Sequence, residues 1–288
     1  LRLVRTHLGR SGAAVTIADG FARVDGDPML HGLTNLAQAC NLLPEEEWPQ
    51  AVAAHFAKSD PERLRGEVAA VVEGGFAAEA DRLVVRIYPP DALSARMSDH
   101  FVQRLDLAET VTVLALDIGP SLLPVPRPIA DSWQVPDAEL FDRALANLER
   151  CSRARWSHAA FPTLREGIDH LGGDFHAATH ILRRDPGLPR VGKAGNLIGI
   201  PACGVLFSYP LNMALDALTL DSLLAMSLGK FHDGPNAISP HLYWRTPEGR
   251  LHVQRALRHG RGTRFMPSPE FVEQMARLQE AGGGTRDR

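Results

Sequence analysis

Lysine is nearly missing from this chain. Of the 31 basic residues among 288, three are lysines (Lys58, Lys193 and Lys230) and the remaining 28 are arginines. Arginine offers a rigid, permanently charged fork for bidentate ion pairs, whereas the lysine ammonium is a compact point charge on a flexible stem. Cysteine is just as sparse, with Cys40, Cys151 and Cys203 far apart and no CxxC pair. That spacing excludes a disulfide framework and a zinc knuckle, and fits small buried thiols in a reducing, cytoplasmic setting. An excess of positive charge is lacking too. The formal net charge is -3 at pH 7, so a globally basic nucleic-acid binder is not expected. The absence of a GxSxG elbow and of a GxGxxG fingerprint argues against serine hydrolases of that type and against Rossmann dinucleotide enzymes.

Uninterrupted apolar runs are also short. The opening residues, LRLVRTHLGRSGAAVTI, hold no apolar block of the kind a signal peptide needs, so none is expected there. One uncharged stretch, residues 194–215, is long enough for a membrane span. Pro201 and Pro210 lie inside it, together with Gly195, Gly199 and Gly204, and these residues break a helix. Two apolar runs around Ala202-Cys203-Gly204 predict a buried β-hairpin instead.

What is present has an ordinary globular composition, 44% hydrophobic and 23% charged. The chain length suggests two domains or one large one. Asp19-Gly20 between AAVTIA and FARVD predicts a hairpin. Helices are predicted over 33–43, from the Glu45-Glu46-Glu47 cluster through 58, and from Ser59-Asp60-Pro61 to about 72, before Gly74-Gly75. RLVVRIY (82–88) and TVTVLALD (110–117) predict strands, and 121–127 an edge partner limited by its prolines. Further helices are predicted over 137–150, 174–184, 218–228 and 269–280. Strands are predicted at 163–168 and in a final hairpin around Thr246-Pro247-Glu248-Gly249. Helices and strands alternate without a βαβ rhythm, which predicts an α+β fold, mixed sheets with β-hairpins packed against several helices. The expected division is an N-terminal hairpin and helical region over 1–100, an α+β domain over 101–280 and a disordered tail over 281–288.

The stretch TVTVLALDIGPSLLPVPRPIADSWQVPDAELFDRALANL (110–148) and the later GDFHAATHIL resemble the YtpQ-like bacterial proteins, a family of unknown function. Those proteins carry an apolar strand ending in Asp or Glu, a short strand, then a polar helix of the form EL…AL.NL. The resemblance covers about half of the chain, from near residue 83 onward. It implies a soluble bacterial α+β protein and supplies no catalytic residue. The chain departs from the family after the strand proline, where Pro201 is followed by Ala202-Cys203-Gly204 instead of a polar pair.

Four groups of residues carry candidate chemistry. The densest is Asp169-His170…Asp174…His176…His180. If 174–184 is a helix, His176 and His180 share a face one turn apart, a spacing that suits a divalent metal, with the third ligand coming from Asp174 or from the His232/Asp233 loop. The position after His176 holds Ala177, not the Glu of an HExxH site. The competing reading is a helix start capped by Asp174. The second group is the loop FHDGPNAISPHLY, whose His232, Asp233, Asn236 and His241 are candidate catalytic residues, because loops between rigid elements often carry sites. Asp-Gly-Pro-Asn is equally a plain turn sequence. Third, Asp117 closes an apolar strand, where a carboxylate points into a cleft or simply forms a turn. Fourth, Arg245, Arg250, Arg255, Arg258, Arg261 and Arg264 face only Glu248 within residues 245–264. Of these, Arg255, Arg258, Arg261 and Arg264 are the expected anion-binding set.

These groups support three readings. The first is a cytoplasmic protein that binds a small-molecule ligand or a protein partner, with no membrane or nucleic-acid role. The second is a metal-assisted hydrolase built on His176 and His180, in which an open coordination position acidifies water. The third is an anion- or nucleic-acid-binding module using the arginine patch.

Overall fold

In the computed structural model, which describes residues 1–18, 20–26, 30–57, 61–90, 100–119, 122–259 and 262–283, the uncharged stretch lies at the middle of a seven-stranded sheet. It forms the hairpin of β10 (Asn196–Ala202) and β11 (Val205–Pro210), buried almost throughout. No helix of the described residues is long and apolar enough to cross a membrane. On one side β11 pairs with β9 (Leu164–Gly172), which pairs with the edge strand β8 (Arg155–Phe161). On the other, β10 pairs with β12 (Leu242–Arg245), followed by β13 (Leu251–His259) and the edge strand β14 (Gly262–Met266). All these pairings are antiparallel, and the whole is an α+β fold.

Strand alternation gives this sheet two apolar faces. Leu197, Phe207, Leu242 and Trp244 meet the helices α7 (Ala217–Asp233) and α8 (Pro269–Gly283). On the other face, Ile198, Leu206 and Tyr243 meet a 3-10 segment (Ala177–Leu182), Ile87 of the neighbouring sheet and Leu107 of the loop before that sheet's strand 111–117. That second sheet holds β4 (Leu83–Tyr88), β5 (Gln103–Arg104), β6 (Val111–Asp117) and β7 (Leu122–Pro124). β4 runs along one edge of β6, while β5 and β7 share the other. The boundary expected at residue 100 therefore falls inside a sheet, since β4 and β6 lie on either side of it. The proline-bearing strand lies beside β6 as expected: among the described strands β7 pairs with β6 alone, while just past it Val125 and Arg127 bond to Val102 and His100.

Helices α4 (Pro61–Glu79), α5 (Arg127–Ser132) and α6 (Asp137–Cys151) follow the same logic and pack on the second sheet. α6 opens with Asp137 and Glu139 in its first turn and buries Leu140, Phe141, Ala144 and Leu148 along one stripe. The first part of α4 ends at the expected Gly74-Gly75 pair: Gly75 (φ 65, ψ -178) is non-helical, accepting the positive φ that other residues resist, and a second short helical piece then runs to Glu79.

The N-terminal region has a core of its own. The helices α1 (Arg2–Leu8), α2 (Thr34–Asn41) and α3 (Trp48–Ala57) bury Val4, Leu36, Val52 and Phe56. Their sheet partner is β1 (Val15–Ala18), β2 (Phe21–Val24) and β3 (Leu30–Gly32), with Ala22 inside. Ser59, Asp60 and most of the expected tail (284–288) lie outside the described residues, while 281–283 end α8.

Candidate functional site

A cavity of about 520 Å³ opens between α7 and the β8 end of the seven-stranded sheet. Its floor follows from the two-residue period. Ser157, Ala159 and Phe161 come from β8, Ile168 and His170 from β9, and Val205 and Phe207 from β11. Its roof is one stripe of α7, comprising Ala225, Met226, Gly229, Lys230 and Asp233, and Leu42 at the end of α2 reaches its rim.

Two glycines make the space. Phe207 pairs with Gly199 across β10 and β11, and its ring lies over that glycine, 2.1 Å from where a Cβ would stand. The ring thus leans toward β10, over Gly199. On the roof, a Cβ at Gly229 would meet nothing within 4 Å. Ala159 and Ala225 add little bulk. The lining is chiefly apolar with a few convergent polar groups, the usual make-up of a small-molecule site.

Those groups are His170, Lys230, Asp233 and Ser157. The Ser157 hydroxyl donates to the His170 carbonyl oxygen at 3.4 Å. The side chains of His170, Lys230 and Asp233 make no hydrogen bond or ion pair among the described residues. Burial, aided by the Lys230 charge, holds the His170 imidazole below its ordinary range, so the neutral ring faces the cavity. On the opposite face of β9, buried Asp169 bridges His158 Nδ1 at 3.0 Å and Arg190 Nε at 2.9 Å.

The expected metal set is not brought together. The 174–184 segment is no α-helix: its regular part is the 3-10 run Ala177–Leu182, with His176 in front of it. At three residues per turn, positions four apart do not share a face. The Asp174 carboxylate is spent on the Ser152 hydroxyl (2.9 Å), the His176 amide (2.8 Å) and a short bond from the Arg153 amide. His180 Nε2 pairs with Ser152 Oγ at 3.0 Å. Among the described residues no three His, Cys, Asp or Glu side chains are grouped so as to hold a metal ion. Burial acts to raise the Asp174 pKa, but these hydrogen bonds outweigh it and hold the carboxyl below its usual range.

The second group separates into different roles. Asp233 lines the cavity. His232 ends α7 with an exposed side chain, and its carbonyl accepts from Gln38 Nε2 at 3.1 Å. His241 is buried just before β12 and its Nδ1 accepts from the Ala256 amide at 3.1 Å, a structural bond. Asn236 sits in the left-handed region (φ 58) and joins three segments. Its amide donates to Asn35 Oδ1, its Oδ1 accepts from Asn35 and from Arg86, and its carbonyl accepts from the Cys203 amide. It also borders a second cavity of about 510 Å³ with Asn35 and His55. Asp117 forms a turn, its Oδ1 accepting from the Gly119 amide at 2.8 Å.

The arginine patch is partly neutralised. Arg255 Nε donates to Glu109 at 2.8 Å, and Arg245 is buried with its guanidinium on the carbonyls of Arg183 and Arg184. Arg264 is exposed on β14, whereas the side chain of Arg258 and the whole of Arg261 lie outside the described residues. The residues missed from sequence are those that shape the cavity. Phe207, Gly199, Gly229 and Lys230 carry no motif, although the scarcity of lysine marked Lys230. No family model, curated protein or solved structure matches the chain.

Proposed function

We propose that this protein binds a small molecule with an apolar body in the cavity between α7 and the β8–β9–β11 face. One observation carries the reading: a groove of about 520 Å³, lined mainly by apolar side chains, to which His170, Lys230 and Asp233 add polar groups that make no side-chain hydrogen bond or ion pair among the described residues. The groove is open to solvent, with Phe161 and Leu42 exposed along it beside the buried Ile168 and Phe207, so a ligand with an apolar body would cover apolar surface that now faces water. The resemblance to the YtpQ-like proteins brings no reaction with it, so the reading rests on this geometry.

The neutral dye N-phenylnaphthylamine tests it. Titration of the native protein is expected to give saturable fluorescence enhancement. Gly229→Trp, whose side chain enters open space from the helix, is expected to abolish that response while the far-UV circular dichroism is retained. Equal enhancement in both proteins would overturn the assignment.

A further inference from the structure

Resting on that reading, we infer that the N-terminal region, through Ala57, is a detachable cover of the groove, latched by Asn35 and Asn236, and that its docking and ligand binding strengthen each other. The apolar cluster of this region draws on residues 3–56, while those of the two larger sheets begin at Val68, so no described cluster spans the junction. What joins the two is an amide socket. Asn236 is fixed from the body side, its carbonyl accepting from the Cys203 amide and its Oδ1 from Arg86 at 3.0 Å. It presents two groups to α2: its N–H donates to Asn35 Oδ1 at 2.9 Å, and its Oδ1 accepts from Asn35 Nδ2 at 3.1 Å. Gln38 Nε2 adds a bond to the His232 carbonyl at 3.1 Å, while Gln38 Oε1 is buried with no partner among the described residues. Beside this joint lies open space of about 510 Å³ between α2, α3 and Pro235 instead of packed side chains. A small, polar junction opens readily, since each exposed hydrogen bond is exchanged for one to water.

The groove straddles that junction. Leu42, one residue past α2, stands 62% exposed at its rim, and Phe161, Ile168 and Phe207 line it from the sheet. An apolar ligand that touches both sides binds the docked state better than the undocked one. Linkage then requires docking and binding to favour each other by one and the same factor.

Dye titration and amide exchange by NMR on the full chain test the coupling. Asn236 is not among the groove's lining residues, so its amide reports docking and not direct contact. Saturating N-phenylnaphthylamine is expected to slow exchange of that amide about fivefold, at the low end of measured couplings. Leu42→Ala takes away the ligand's contact with the cover; it should weaken dye binding by a similar factor and abolish the slowing. Asn35→Ala, at an exposed position of α2, should also weaken dye binding, yet cost nothing further when added to Leu42→Ala. An Asn236 amide indifferent to the dye, an Asn35→Ala protein that binds dye as the native one does, or losses that add in the double variant would overturn the cover. Each of these leaves the groove reading intact. If the dye gives no saturable response that Gly229→Trp removes, the groove reading falls as well.

Discussion

His180 is packed between the 3-10 segment and the start of β8, with Nε2 on the Ser152 hydroxyl. Burial, helped by the Arg183 charge, pushes its pKa from 6.5 down to about 4. His170, His176 and His241 are shifted the same way, burial being the largest cause in each. The fold thus keeps these rings neutral while the unfolded chain takes up protons below about pH 6.5. Stability is whole above that pH and declines as pH falls toward 4. His180→Gln retains a partner for Ser152 and removes one titrating group. It is expected to flatten the acid branch of chemical denaturation by up to about 1.4 kcal/mol per pH unit. An unchanged slope between pH 6.5 and 4 would show that His180 is not the group responsible. The same burial explains why histidine-rich sequence misleads. His176, His180 and His241 carry metal-ligand or catalytic spacing in one dimension, yet His180 pairs with a hydroxyl, His241 with a backbone amide, and the His176 ring packs on Phe175.

At the scale of elements, α6 shows how much a periodic sequence carries. Its acidic first turn, apolar stripe and end near Cys151 all follow from the residues of 137–151. Its contact with β4 does not. Buried Asn147 donates through Nδ2 to the carbonyls of Ala80 at 2.7 Å and Leu83 at 2.8 Å, which joins the helix to the strand entry. Asn147→Ala is expected to cost about 1–3 kcal/mol by leaving those carbonyls unpaired. Asn147→Asp should cost more, because a carboxylate would face two acceptors. Equal or smaller loss for the aspartate in urea denaturation would contradict this role. The failed 174–184 helix has the opposite lesson. The pattern of apolar residues was helical, but Asp174 is drawn to Ser152 and Arg153 some twenty residues earlier, and such long-range capping has no signature in local sequence.

For the whole molecule, the α+β class was legible because alternation, prolines and turn dipeptides mark the strands one by one. The order of the seven strands was not, since it depends on which hairpins meet edge to edge. The cavity was hidden for a related reason. Gly199 and Phe207 face each other only through the β10–β11 register, Ile168 and His170 reach the same face from β9, and Gly229 arrives from α7. Asn236 was legible as a special residue, but its work is to hold α2, β4 and the hairpin tip together. Through that docking, Leu42 of the N-terminal region comes to the cavity rim.

Methyl NMR during a titration with octanol tests ligand binding at this place most directly. Saturable shifts are expected for the methyls of Ile168, Val205 and Met226, with Met213 and Met266 unmoved and with the response absent in Gly229→Trp. Shifts confined to exposed Leu257 and Met266 on the β13–β14 ribbon, or spread evenly over the molecule, would contradict it.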